Sequence, residues 1–149
     1  MSRPDKFKAL ASADGSSRAQ ALRNTYIGKD GDDQQPYIAL KYYHPEHECL
    51  SSWSAEELKD LSNLSLKLQS MCWSQVKSQG GSVGKKTGLG MTKHTNVKKL
   101  PHHPKMAQIS PDVSFFELRV NQVARVHGFR VDAAFFLCWL DRGHKVYPS

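Results

Sequence analysis

The sequence predicts an α+β domain, in which a mostly antiparallel sheet of about four strands packs on one long helix. Three observations predict it. Phe116, Leu118 and Val120 alternate with charged residues, which is the period of a strand with one buried face. Residues 135–140 are apolar throughout, as in an inner strand covered on both faces. Between residues 54 and 76, apolar side chains recur three and four positions apart, which is the period of a helix.

The chain divides into a weakly patterned start and one domain. Residues 1–36 are mixed in character and predict a helical or irregular N-terminal extension, whereas residues 37–149 predict the α+β domain itself. The first strand is predicted at YIALKYYH, residues 37–44, because Pro45 stops it.

The helix has clear start and stop signals. Ser54 and Glu57 form the pattern of a capping box, in which each side chain accepts a hydrogen bond from the other's backbone amide. The apolar stripe continues to about Val76, and Gly80-Gly81 ends it. One uninterrupted helix is therefore expected.

Positive charge is concentrated in the second part of the chain. The formal net charge is +7, yet residues 1–60 hold 8 Lys/Arg against 10 Asp/Glu. No acidic residue lies between Leu61 and Pro111. The glycine- and lysine-rich connection at residues 80–111 is longer than an ordinary loop, which favours a functional role. Such a local field favours a polyanionic partner such as RNA, although a solvated basic surface without a partner has the same composition.

Two neighbouring segments predict an antiparallel hairpin with a definite register. The strands are residues 115–120 and 123–130. Because a slip of one residue turns every side chain to the other face, Leu118 and Val126 share a buried face only for certain pairings. A loop of three residues, 121–123, satisfies this requirement.

That register places Glu117 opposite His127, and Arg119 opposite Arg125, on the face predicted to be exposed. Like charges directly across a sheet are unfavourable. The two arginines are therefore expected either to spread into water or to hold an anion such as phosphate. More polar residues follow at the strand ends: Arg130, Asp141, Arg142, His144, Lys145 and Tyr147.

No metal and no cofactor are expected. The segment HPEHEC at residues 44–49 contains potential ligands, but Pro45 prevents a helix from aligning the two histidines, and no second pair with zinc spacing follows. The three cysteines form no CxxC pair, which argues against a disulfide framework. The longest apolar run is far below the roughly 18 residues of a membrane span, and the N-terminus is polar. A cytoplasmic protein without a membrane partner is expected.

Three segments, SFFELRV, ARVHGFR and AFFLCWLDRGHKVYP, resemble the RelE/HigB/YoeB-like family of bacterial toxins. The likeness covers roughly residues 37–148, and its specific part is about 35 residues long. The resemblance implies a small endoribonuclease that cleaves mRNA, commonly on the ribosome, by attack of a ribose 2′-hydroxyl on the adjacent phosphate. It implies no metal, and it implies an antitoxin protein as partner.

The resemblance also assigns residues. Arg125 matches the family's phosphate-stabilising arginine, and His144, Lys145 and Tyr147 match its functional C-terminal end. The predicted catalytic set is completed from the strand register by Glu117, Arg119 and His127, with Glu117 or His127 as candidate base. The residues predicted to bind RNA are Lys85, Lys86, Lys93, Lys98, Lys99, Arg130, Arg142 and Lys145. Two alternatives remain: a non-catalytic RNA- or protein-binding module on the same scaffold, and a structural or interaction protein whose basic loop binds an acidic partner.

Overall fold

A five-stranded sheet forms the centre of the domain in a computed structural model that describes residues 31–79 and 88–148. The strands are β1 (Tyr37–Ala39), β2 (Thr92–Lys93), β3 (Phe115–Arg119), β4 (Arg125–Val131) and β5 (Ala134–Asp141). Their order is β1-β5-β4-β3-β2; β1 runs parallel to β5, and all other pairs are antiparallel. The helices are α1 (Ala55–Gln69) and α2 (Trp73–Ser78). The predicted α+β class is confirmed, with β2 as an additional strand.

The prediction of one uninterrupted helix is wrong, because the chain breaks between α1 and α2. The Ser70 hydroxyl donates to the Lys67 carbonyl over 2.8 Å, which satisfies a carbonyl at the end of α1. Beyond the break, the Cys72 amide donates to the Gln75 side chain over 2.8 Å and opens α2. These local bonds offer the backbone an alternative to continuous helix. The apolar spacing continues through Trp73, so periodicity alone does not reveal the break.

The predicted capping box at the start of α1 is present. The Glu57 amide donates to the Ser54 hydroxyl over 3.1 Å, and the Ser54 amide donates to the Glu57 carboxylate over 2.8 Å. Both amides would otherwise lack a partner within the helix. This cap fixes the first turn of α1.

We expect Ser54→Ala to lower the free energy of unfolding by about 1 kcal/mol, because it removes the acceptor for the Glu57 amide. Ser62→Ala is the matched control, since Ser62 is an exposed serine inside the same helix. Its effect should be below about 0.5 kcal/mol. Urea unfolding followed by circular dichroism measures both; equal midpoints for the two variants would show that the cap contributes nothing.

The first strand is shorter than predicted. β1 contains Tyr37–Ala39 and not residues 37–44, because the chain turns at Leu40, whose carbonyl accepts a hydrogen bond from the Tyr43 amide over 3.1 Å. The His44 amide then donates to the Cys138 carbonyl of β5 over 2.9 Å. The segment therefore stays beside β5 without continuing the strand.

The hairpin of β3 and β4 has the predicted register. Glu117 pairs with His127 and Arg119 pairs with Arg125. The connecting loop is held by Asn121, whose side-chain oxygen accepts hydrogen bonds from the amides of residues 123 and 124 over 2.9 and 2.8 Å. Asn121 therefore stabilises the loop through these two side-chain hydrogen bonds.

Both faces of the sheet are covered. One face packs against the helices through a core that includes Leu64, Leu68 and Trp73. On the other face, Leu100 and Ile109 pack with side chains from β3, β4 and β5. The prediction that the face of Glu117, Arg125 and His127 is exposed is therefore wrong. Residues 94–113, which we name the covering segment, cross this face, and the three side chains are buried. The prediction that residues 135–140 form an inner strand covered on both faces is confirmed.

Some predictions fall on residues outside the described ranges. They include most of the predicted N-terminal extension and two of the predicted RNA-binding residues, Lys85 and Lys86. Within residues 31–79 and 88–148, no helix has the length and apolarity needed to cross a membrane.

Candidate functional site

A chain of three hydrogen-bonded side chains lies between the sheet and the covering segment. His127 Nε2 lies 2.7 Å from Asp141 Oδ2, and His127 Nδ1 lies 2.8 Å from His94 Nε2. All three residues are buried, with His127 wholly so. Since a carboxylate only accepts, His127 must donate from Nε2, which leaves Nδ1 directed at His94.

The protein fixes Asp141 from a second side. The amides of Lys145 and Val146 donate to its two carboxylate oxygens over 2.7 and 3.0 Å. Burial by itself would raise the pKa of Asp141, but the hydrogen bonds from His127 and these two amides outweigh burial and lower the pKa below its ordinary value. Asp141 is therefore a carboxylate at neutral pH.

His94 is held as a neutral imidazole. Burial, together with the nearby rings of His127 and His144, lowers its pKa to about 4. Its Nδ1 is buried and has no hydrogen-bond partner within the described structure. The ring stacks on Tyr147, with centroids 4.0 Å apart and planes inclined by 16°. Tyr147 accepts a hydrogen bond from the Asn96 amide over 3.0 Å, so the C-terminal tail closes this side of the site.

A second group of side chains adjoins the first through Glu117. Glu117 Oε2 lies 3.3 Å from Arg125 Nε and 3.0 Å from His144 Nε2, while Oε1 lies 3.8 Å from His94 Nε2. The Glu117 side chain is 8% exposed, whereas that of His144 is 42% exposed. Glu117 and His144 therefore form a carboxylate–imidazole pair whose imidazole reaches solvent.

The backbone of His144 is in the left-handed region, with φ = 56°. This conformation is uncommon outside glycine, although histidine tolerates it better than most residues. It costs of order 1 kcal/mol, and such residues cluster at functional sites. The turn is maintained by Asp141, whose side chain binds the amides of the two residues that follow His144.

The two arginines predicted to face each other bind different parts of the backbone. Arg125 donates through one terminal nitrogen to the carbonyls of Asn121 and Ala124, each over 3.0 Å, and it is 8% exposed. Arg119 donates to the Gly88 carbonyl over 3.3 Å. The structure thus brings the pair together in register, and it directs both guanidinium groups toward carbonyl oxygens.

The predicted RNA-binding cations in the described ranges fall into two sets. Four lysines are exposed: Lys93, Lys98, Lys99 and Lys145. Arg130 and Arg142 have structural partners. Arg130 pairs with Asp32 over 2.7 Å, and Arg142 pairs with Glu57 over 3.0 Å. The lysines, but not these two arginines, present their charge to solvent without an ion pair in the described structure.

Neither His94 nor Asp141 was among the predicted site residues, although Asp141 was named among the polar residues at the strand ends. Asp141 had a partial signal, because it is a charged residue that directly ends an apolar strand; its place opposite Arg125 depends on the register shift between β4 and β5, which the sequence did not predict. His94 had none, since it follows the two-residue strand β2 inside a segment predicted to be a loop. Among the described residues, the His, Cys, Asp and Glu side chains close enough to share an ion are His94, Glu117 and His127. The HPEHEC segment forms no such group there.

Comparisons of the chain with protein-family models, with curated proteins and with solved structures found no match. Function is accordingly argued from the site itself, since a fold alone does not determine it. The features that carry chemistry are the Glu117–His144 pair, the buried Asp141–His127–His94 chain and the exposed lysines nearby.

Proposed function

We propose that this protein is a RelE-like, metal-independent endoribonuclease that cleaves mRNA, and that His144 is its proton-transfer group. The observation that carries the proposal is the exposed imidazole of His144, which the buried carboxylate of Glu117 orients and which lies on a left-handed turn held by Asp141. An exposed imidazole that is oriented by a carboxylate is suited to general acid–base catalysis, because it can accept a proton at one ring nitrogen while the other is held.

The proposed reaction uses this arrangement. Glu117 binds Nε2 of His144, so Nδ1 is the nitrogen available to the substrate. His144 accepts the proton of a ribose 2′-hydroxyl as its oxygen attacks the adjacent phosphorus. The new 2′-oxygen–phosphorus bond forms as the bond to the 5′-oxygen breaks, which leaves a cyclic phosphate. The 5′-oxygen takes a proton from solvent water, and His144 returns its own proton to solvent. Lys145, exposed and next in sequence, supplies positive charge for the phosphorane.

The charge distribution supports the proposed substrate and protein partners. Lys93, Lys98 and Lys99 are exposed on or beside the covering segment and can bind successive phosphates of single-stranded RNA. The wider proposal is that the protein acts in the cytoplasm as the toxin of a toxin–antitoxin pair, with mRNA on the ribosome as substrate. An acidic antitoxin would complement the net charge of +7.

One observation favours a second candidate, a non-catalytic RNA- or protein-binding module on the same scaffold. Arg125 was predicted to stabilise the phosphate, yet its guanidinium is buried against Glu117 and two carbonyls. Stabilisation of a phosphorane by Arg125 would require the loop at residues 121–124 to move. A surface that binds RNA through lysines alone requires no such movement.

We expect the purified protein to cleave single-stranded RNA in the presence of EDTA, and His144→Ala to reduce the rate at least about 100-fold, because a positioned proton transfer is lost. The assay is RNA cleavage by full-length protein, resolved by gel electrophoresis. His47→Ala is the control, since His47 is exposed and belongs to the HPEHEC segment; it should cleave at the wild-type rate. Equal RNA binding by all three proteins with no cleavage would establish the binding module instead.

A further inference from the structure

The buried chain of polar side chains has the composition of a metal centre. We propose that His94, His127 and Glu117 bind one divalent transition-metal ion, with Zn²⁺ as the preferred ion and Asp141 as the group that orients His127. Two imidazole nitrogens and one carboxylate oxygen form a donor set that suits zinc better than magnesium or calcium. The inference does not rest on RNA cleavage, because the ion's role here is structural.

The donor atoms already lie close to the required spacing. His94 Nε2 is 2.8 Å from His127 Nδ1 and 3.8 Å from Glu117 Oε1, and one donor atom from each residue lies within 4.8 Å of the others. Zinc bonds of about 2.0–2.1 Å in a tetrahedron place neighbouring donors about 3.3 Å apart. Each of the two measured separations therefore needs to change by about half an ångström. Closing the three donors around an ion therefore requires rotation of these side chains.

Asp141 prepares His127 for metal binding. It accepts the Nε2 proton of His127, so the Nδ1 lone pair is directed at the space between His94 and Glu117. Metal-binding histidines almost always donate their other ring N–H to such a partner. Two backbone amides donate hydrogen bonds to Asp141 and fix its position, so Asp141 can hold His127 in one orientation.

The 2.8 Å contact between two ring nitrogens can hold one proton or one metal ion. Two nitrogens this close require a proton between them, and because both rings are buried, this proton is kept away from water. Binding of the ion moves that proton from Nε2 to Nδ1 of His94, which keeps the imidazole neutral, and the two facing nitrogens then donate lone pairs to the metal. The Glu117 carboxylate lies beside His94, and the Asp141 carboxylate lies behind His127, so both add negative charge near the proposed ion.

The ion would join the covering segment to the sheet. His94 follows β2, which is two residues long and pairs with β3 at an edge of the sheet. Glu117 and His127 lie in the central pair of strands β3 and β4. A bond from each to a common ion therefore anchors the start of the covering segment, which the short strand β2 secures only weakly.

The test is a zinc titration of the full-length, metal-free protein, measured by competition with a coloured chelator. We expect one Zn²⁺ to bind per chain, and cobalt substitution to give the strong visible absorption of a tetrahedral site. His94→Gln and Glu117→Gln should each weaken zinc binding by at least about 100-fold, and Asp141→Asn by about 10- to 100-fold. Circular dichroism confirms that each variant is folded before titration.

A double variant, His47→Gln with Cys49→Ser, is the control for other zinc-binding side chains on the surface. It should retain wild-type affinity. Wild-type protein without stoichiometric binding, or folded His94→Gln and Glu117→Gln variants with wild-type affinity, would overturn the proposal. Because the readout is zinc and not RNA, a protein that binds zinc but cleaves no RNA would refute the proposed function and leave the metal site intact.

Discussion

Gly128→Ala is expected to lower the free energy of unfolding by about 3 kcal/mol or more, a large part of the stability of an ordinary domain. An added Cβ would lie 1.9 Å from the Phe136 carbonyl oxygen and 2.9 Å from its carbonyl carbon. Both atoms belong to the backbone of β5, the strand between β1 and β4. Relief of the clash therefore requires two central strands to separate.

The glycine is required because the strands are irregular at this point. His127 pairs with Trp139, whereas Gly128 pairs with Leu137, so the register of β4 against β5 shifts by one residue between them. Such a bulge brings the two backbones unusually close. It also sets the direction of His127, so the clash would disturb the buried polar chain as well as the sheet.

Urea unfolding followed by circular dichroism measures the effect, with Gly143→Ala as the matched control. At Gly143, the nearest atom to an added Cβ is in the flexible side chain of Lys145, 3.5 Å away, which is an ordinary contact. That variant should unfold within about 0.5 kcal/mol of wild type. If both variants matched wild type, β4 and β5 could not be paired with this bulge.

The fold was predicted from the spacing of apolar residues along the chain and from the register of the paired strands. The alternation at residues 116–120 and the apolar run at residues 135–140 located β3 and β5, and the shared face of Leu118 and Val126 fixed the hairpin register. Features decided by local hydrogen bonds were not predictable in this way. The break before Cys72 follows from two side-chain bonds in a segment whose apolar period is unbroken.

The sequence predicted which site residues lie opposite each other on paired strands, but it did not predict that these residues are buried. Register alone placed Glu117 beside His127, because side chains on paired strands have fixed neighbours. Their exposure depended on the covering segment, which is distant in sequence and carries no strong periodic signal. Polar side chains are usually exposed, and His127 can be buried because Asp141 and His94 satisfy both of its ring nitrogens. To predict that this polar face of the sheet is buried, one would have needed to know which segment covers it.

The second large effect is predicted for Asp141→Ala, which we expect to lower the free energy of unfolding by about 3–5 kcal/mol. The carboxylate accepts hydrogen bonds from His127 and from the amides of Lys145 and Val146. Alanine leaves all three donors buried or part-buried without an acceptor, and each such donor costs about 1–3 kcal/mol. Urea unfolding in EDTA measures this loss without a contribution from bound metal. Asp112→Ala, at an exposed aspartate, is the control and should change stability by less than about 0.5 kcal/mol.

Asp141→Asn separates the charge from the shape of the side chain. Its amide oxygen can still accept from His127 and Val146, but its NH₂ group would meet the Lys145 amide donor to donor. The free energy of unfolding should therefore be highest for the wild type, lower for Asp141→Asn and lowest for Asp141→Ala. Because His144 lies in the turn that these amides hold, RNA cleavage should fall in the same order. An asparagine variant with wild-type stability would mean that the Lys145 amide is not held by this side chain, and the left-handed turn at His144 would then need another support.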